Sequence, residues 1–336
     1  MAALATMMVG CGAATTPAAG APPASTPAAV APAVAPKWTE LGGSLGPLAG
    51  HEAAGVVVGN GSVVALLGAQ VWRYESGSWG LMPALPRPAS NLNPTEVAVA
   101  GSQLWVGAYG FAEYDPATGT WAASDPVAAF PIVGNRAANA AGVVVALPAG
   151  TGSPWEWTGH AWAQMSGLAS ALSGGFTYAA AVASDGTVWV GTSSGVWAGS
   201  AGSAWGPVGG ASNPLASHRI TRIAAASGQI AAYGPGVGVV EYASGSWQTL
   251  GREPAGVARA PANSLAGLLG GSSDPLAWSP SGSLAVGTRN GVIWTYVNGS
   301  WTSVAHLGAS IESLACAPNG TLVASTAAGV YADGRV

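Results

Sequence analysis

Nine arginines and one lysine are the only basic residues besides four histidines in a chain of 336 residues. Seven of the arginines fall where the sequence reads as loop: Arg87, Arg136, Arg219, Arg222, Arg252, Arg259 and Arg289. A guanidinium is a planar fork that grips a carboxylate, a phosphate or a sugar acid through two parallel hydrogen bonds. His218 stands beside Arg219, and Asp274 closes the longest loop of the set. The group therefore offers two chemistries. One is a static face that holds an anionic ligand or partner. The other is elimination or hydrolysis, with His218 as general base and Arg219 or Arg222 stabilising an anionic intermediate.

Other candidate motifs lose on context. Gly191-Thr-Ser-Ser-Gly195 fits the nucleophile-elbow pattern, but that turn must lead into a helix and this one leads into a strand-like segment, Val196-Trp-Ala-Gly-Ser200. The histidines, His51, His160, His218 and His306, lack the spacing of metal ligands, so neither a metal nor a cofactor is expected. No pair of carboxylates can be assigned to general acid and base work, and no catalytic residue is singled out. Asn60-Gly-Ser, Asn298-Gly-Ser and Asn319-Gly-Thr are glycosylation sequons in form, yet Asn-Gly is also the favoured two-residue hairpin turn, and they are read as turns.

The elements that position these residues are set by a repeat. Trp38, Trp79, Trp121, Trp162, Trp205, Trp247 and Trp301 recur about 42 residues apart, usually after Gly-Ser or a near equivalent. The clearest unit, Ala179 to Ser217, holds four short β-rich segments separated by Gly, Ser and Asp, the fourth carrying Trp205. Aromatic residues precede the repeat tryptophan by five or seven positions, as in Trp72 and Tyr74, Trp155 and Trp157, or Trp294 and Tyr296. Side chains two apart share one face of a strand, so this face is expected to pack between units.

Counting strands closes the array. The last unit begins at Ile311 and supplies three strands, whereas Lys37 to Leu41 forms a strand ahead of the first complete unit. Joined as the outermost strand of the last unit, it removes the open edge. The expected fold is all-β: a single seven-bladed β-propeller of four-stranded antiparallel blades, the last closed by an N-terminal strand. In such a ring the connections between blades share a face with the turns between second and third strands. Arg87, Arg136, Arg219, Arg222, Arg252 and Arg259 map to connections and Arg289 to a second-to-third turn, so the candidate ligand residues, with His218 and Asp274, gather on one face. Glu96 and Glu312 are assigned to the same connections.

The segment Asp185 to Trp197, DGTVWVGTSSGVW, resembles the propeller repeats of two-component-regulator sensor domains, with weaker echoes from Leu284 to Trp294 and Leu104 to Tyr114. The resemblance implies a blade type and a sensor module for a separate signalling chain. The antibiotic-inactivating lyases of propeller fold and the photosystem-assembly propellers are similar in outline, without a match to their functional residues.

Charged residues are only 7% of the chain, against roughly 25% in ordinary soluble domains, and the net charge is −4. That excludes the basic footprint of nucleic-acid binding. Met8-Val-Gly-Cys11 after a short apolar start resembles the lipobox of bacterial lipoproteins, with Cys11 as the lipidated residue. Residues 12–36 hold eleven Ala and six Pro without a charge and read as a disordered tether. The expected organisation is a signal at 1–11, the tether at 12–36 and the propeller at 37–336. That implies an extracytoplasmic, lipid-anchored monomer with a protein or glycan partner and no other membrane contact. Cys316 reads as a small apolar residue, without a disulfide.

Overall fold

A computed structural model describes residues 37–59, 61–86, 94, 96–107, 111–124, 133–138, 142–148, 152–172, 175–210, 213–226, 228–250, 275–334 and 336. The expected lipobox, with Cys11, and the tether lie outside the described residues, as do Arg87, Arg252, Arg259, Asp274 and Asn60.

The residues ahead of the repeat tryptophan make a turn. Ser76-Gly77, Ser244-Gly245 and Asn298-Gly299 have φ of 51° and 86°, 52° and 82°, and 50° and 81°. Two successive left-handed residues form the type I′ hairpin, whose twist matches that of the strands it joins. Ser78, Ser246 and Ser300 then open the fourth strand, one residue before Trp79, Trp247 and Trp301. The reading of Asn298-Gly299 as a turn holds.

Seven four-stranded antiparallel sheets follow from these hairpins. Blade 1 spans residues 55–81, blade 2 96–123, blade 3 133–164, blade 4 177–207, blade 5 222–249 and blade 6 276–306; blade 7 joins 311–332 to Thr39–Glu40. The first strand of each blade stands beside the first strands of its two neighbours, and the cycle closes between blades 7 and 1. Thr39 pairs with Ala332 and Glu40 with Tyr331, while the Leu41 N–H donates to Val330 O at 2.9 Å. The N-terminal strand is thus the outermost strand of the last blade, though shorter than Lys37 to Leu41. At the inner edge of the same seam the Ser313 hydroxyl accepts from Val56 N at 3.3 Å.

The core is divided into seven apolar clusters, one at each interface between blades. Tyr74, Tyr114, Tyr242 and Tyr296 stand opposite Trp79, Trp121, Trp247 and Trp301, with rings 5.1–5.2 Å apart and tilted 52–56°. Each pair packs on the preceding blade, as the spacing of the aromatics implied. Trp38 takes the corresponding place between blades 6 and 7.

The indoles also carry a repeated hydrogen bond. Trp79 Nε1 donates to Leu41 O at 2.7 Å, Trp121 to Pro83 O at 2.9 Å, Trp162 to Ser124 O at 3.2 Å, Trp247 to Val208 O at 3.1 Å and Trp301 to Leu250 O at 2.6 Å. Each acceptor lies three or four residues beyond the previous repeat tryptophan. A glycine clears the way: a Cβ on Gly42 would meet Trp79 Cδ1 at 2.6 Å, and one on Gly209 would meet Trp247 Cδ1 at 2.4 Å.

Blade 4 departs from the pattern. Trp205 was expected inside its fourth strand, but that strand is only Gly206–Pro207, paired with Ala198 and Trp197. Proline has no N–H for a longer ladder and is tolerated at such an edge. Trp205 instead lies over Gly199, and its buried Nε1 has no hydrogen-bond partner.

Between the aromatic positions, the third strands place Glu113, Glu156 and Glu241 on the opposite face. Burial raises all three carboxyl groups above the ordinary carboxylate range; at Glu113 a hydrogen bond from Gln103 opposes the rise and the charge of Asp115 adds to it. Cys316 is a free, half-buried thiol in the cluster between blades 6 and 7, pushed up to about 11 by burial and then by Asp333.

Replacing Trp79 by Phe strands the Leu41 carbonyl and should cost about 1–3 kcal/mol from that loss alone. Trp205→Phe removes an indole N–H that has no partner, so it should cost less than Trp79→Phe in urea-induced unfolding. A raised carboxyl favours its protonated form in the fold. Its stabilising effect is full below the ordinary value of 4.5 and is lost as pH rises through the raised one. Glu156→Gln and Glu241→Gln should therefore raise Tm at pH 7 and flatten its dependence on pH between 7 and 4.

Candidate functional site

The connection from blade 4 to blade 5, residues 213–221, is seated by missing side chains. A Cβ on Gly234 would fall 2.3 Å from Arg219 O, one on Gly191 2.7 Å from Ile220 O, and one on Gly195 2.8 Å from Leu215 O. Backbone bonds then fasten it: Gly195 N donates to His218 O at 2.9 Å, Ile220 N to Thr192 O at 2.9 Å and Thr221 N to Tyr233 O at 2.9 Å. Asn213 Oδ1 accepts from Leu215 N at 2.8 Å within the connection itself. Gly191 and Gly195 are the glycines of the nucleophile-elbow pattern. Their role here is close approach to this connection, and Gly195–Gly199 continues as a strand.

His218 and Arg219 lie on this rigid base and Arg222 at its end, each half-buried. Arg219 lies over the ring of Tyr178, with Cζ 5.4 Å from the centroid. Tyr178 stacks on Phe176 at 6.5 Å with 30° between the planes. Phe176 is 51% exposed, one of few large apolar side chains so placed among the described residues. Its backbone is clamped, since Phe176 N donates to Ser193 Oγ at 3.2 Å and Ser193 N donates to Phe176 O at 2.9 Å. Arg222 Nη1 donates to Thr221 O at 2.8 Å. His218 Nδ1 is buried and has no hydrogen-bond partner.

Phe176 and Tyr178 lie at the start of the innermost strand of blade 4, Thr177–Val182, and Arg222 opens that of blade 5, Arg222–Ala226. Innermost strands line the central channel, so the stack of Phe176, Tyr178 and Arg219 stands at its mouth. The rings and the cation form one continuous surface, apolar at one end and charged at the other, on the face of the connections and second-to-third turns.

The other candidates distribute differently. Arg289 is exposed on the second-to-third turn of blade 6, on the same face as expected. Arg136 does not lie in a connection. It lies within the innermost strand of blade 3, Val133–Ala138, with its backbone paired to Ala146 after a register shift. Arg222, Glu96 and Glu312 likewise belong to innermost strands, because pairing begins earlier than the polar residues suggested. Arg87, Arg252, Arg259 and Asp274 lie outside the described residues.

The sequence pattern does not single out Phe176 and Tyr178, because its clearest unit begins at Ala179. The signal was present. Only three phenylalanines occur in the chain, and Phe-Thr-Tyr stands at a strand start among small and β-branched residues. Among the described residues no group of three or more His, Cys, Asp or Glu could hold a metal ion.

An open groove of about 430 Å³ runs along the outer flank of blades 1 and 2, with Arg73, Glu75, Leu81 and Tyr114 among its lining residues. Arg73 and Glu75 pair there at 3.2 Å, so it presents no excess charge. His218 is not part of it.

The chain is a seven-bladed β-propeller. No protein-family profile matches it, and no curated protein sequence does. Solved structures match the fold. A streptogramin B lyase superposes with a TM-score of 0.65 at 10% identity, over 88% of this chain and 96% of that one. The extracellular domain of a hybrid two-component system of B. thetaiotaomicron gives 0.61 at 12% identity, over 88% of this chain and 39% of that one. YCF48 bound to a D1 peptide gives 0.61 at 12% identity, over 90% and 96%. Identities this low establish a shared fold and leave the site to its own chemistry.

Gly234→Ala should lower stability by about 1–3 kcal/mol, because its Cβ meets a backbone carbonyl that cannot rotate away. Gly206 has open space around its Cβ position, and Gly206→Ala should be nearly neutral in the same thermal unfolding comparison.

Proposed function

We propose that this propeller is a non-catalytic binding module that works outside the cytoplasm and presents its arginine-bearing face to a protein or glycan partner. The observation that carries this reading is the stack of Phe176, Tyr178 and Arg219 at the channel mouth, beside Arg222, on a connection locked by three glycines. Rigid aromatic and arginine side chains at an exposed mouth are the composition of a binding hot spot, since little entropy is lost when they engage. In this reading Cys11 is lipidated, residues 12–36 are the tether, and the propeller acts as a monomer at the membrane surface. The partner-binding and extracellular propellers among the solved structures are consistent with it, as neighbours in fold.

A second reading is a lyase or hydrolase at the same mouth, favoured by one observation, the buried His218 Nδ1 without a partner. Against it, the same nitrogen is buried, and the described groove of the flank lies elsewhere.

The test is a pull-down from extracytoplasmic extract together with an array of glycans, using the intact chain and an Arg219→Ala/Arg222→Ala double variant. Loss of at least tenfold in retained partner or glycan is the expected result. Retention unchanged by the double variant would remove this face from consideration.

A further inference from the structure

We infer that the mouth of blades 4 and 5 recognises a saccharide that carries a carboxylate, a uronic acid oligomer, with the sugar stacked on Phe176 and its carboxylate held by Arg219 and Arg222. The inference rests on the binding-module reading above and gives its ligand a chemical class. Three features of the site converge on it.

The first is the platform. Phe176 leaves half of its surface to solvent although its backbone is fixed on both sides to Ser193. Exposing an aromatic ring costs apolar hydration, and a rigid ring has little entropy to lose when a ligand covers it. The ring is flanked by Tyr178 at 6.5 Å, with 30° between the planes. It therefore offers a flat face instead of a slot, which suits the C–H face of a pyranose.

The second is the position of the charge. Arg219 lies on the Tyr178 ring with Cζ at 5.4 Å. Tyr178 thus links the platform to the guanidinium, and a ligand of two or three sugar units is long enough to reach from one to the other. Arg222 adds a second guanidinium, oriented by its bond to Thr221 O at 2.8 Å. A planar guanidinium fork fits a carboxylate, whose two oxygens accept parallel hydrogen bonds.

The third is the remaining polar lining. Ser193 and Ser194 crown the second-to-third turn of blade 4 beside Phe176, and hydroxyls are the donors and acceptors that sugar hydroxyls pair with. No aspartate or glutamate belongs to Phe176–Tyr178, Thr192–Gly195 or Asn213–Arg222, so none of these segments repels an anion. A protein partner would instead be expected to engage a broader surface than this single stack.

Titration calorimetry with tri-galacturonate, tri-glucuronate and tri-mannuronate, each beside its carboxyl-reduced neutral counterpart, tests the inference on the full chain. At least one acidic trisaccharide should bind, and reduction of its carboxyl groups should weaken it at least tenfold. Phe176→Ala should cost at least tenfold and Arg222→Ala a similar amount, while Val297→Ala, on the opposite face, should leave affinity unchanged. Thermal unfolding of each variant separates a lost contact from a lost fold. Binding of a neutral counterpart as tight as the acid, indifference to Phe176→Ala, or no binding of any of the three acids would overturn the saccharide inference. The broader reading would survive those results if a protein is still captured by the intact chain and released by Arg219→Ala/Arg222→Ala. It fails separately if that double variant changes nothing.

Discussion

Five of the seven seams in this ring share one repeated contact on which the rest of the structure depends, an indole laid between two blades with its N–H bonded to the backbone of the blade before it. A tryptophan here does two jobs that no other side chain combines. Its area fills the apolar interface, and its single donor fixes the angle at which the next blade can stand. The acceptor is a carbonyl just beyond the previous tryptophan, so each contact sets the register of the next. At a seam where Trp79 reaches Leu41, the same bond that spaces the blades also ties the N-terminal strand into the closure. The geometry explains the glycines at 42 and 209, which lie where the ring edge must pass.

A chain with so few charges can be stable in this form because apolar clusters dominate the interfaces and the strands pair their backbone within the blades. Buried polar groups are then exceptions. The carboxyl groups of Glu113, Glu156 and Glu241 sit between the aromatic positions of their strands, Glu241 buried and the other two half-buried, and burial raises all three. They weaken the structure slightly at neutral pH.

The ring and its closure were legible in the sequence because a fixed period leaves one solution. Trp38 to Trp301 give the spacing, Ser-Gly and Asn-Gly give the hairpins, and the count of strands gives the closure. Blade 4 shows where periodicity misleads: Pro207 stops the fourth strand after two residues, and Trp205 is left outside it. The site was half legible. Polarity placed His218, Arg219 and Arg289 on the correct face, but it put Arg136 in a loop when it belongs to an innermost strand. Phe176 and Tyr178 escaped because aromatics in this chain otherwise mean seam, and only exposure separates a platform from a seam.

That last distinction is physical. A seam aromatic has its ring against the preceding blade and its register fixed by a partner across the strand, as Tyr74 has with Trp79. Phe176 lies just ahead of its strand, where its backbone is fastened across to Ser193 and no aromatic faces it across the strand, and its ring stays half exposed. The connection that carries Arg219 cannot retreat, since Gly191, Gly195 and Gly234 have let it settle against two turns. An exposed ring and a cation are therefore held at a fixed separation before anything binds. Pre-organisation of this kind means that a ligand matching the pair has little ordering cost to meet, and one that matches only the charge or only the ring gains little from the arrangement.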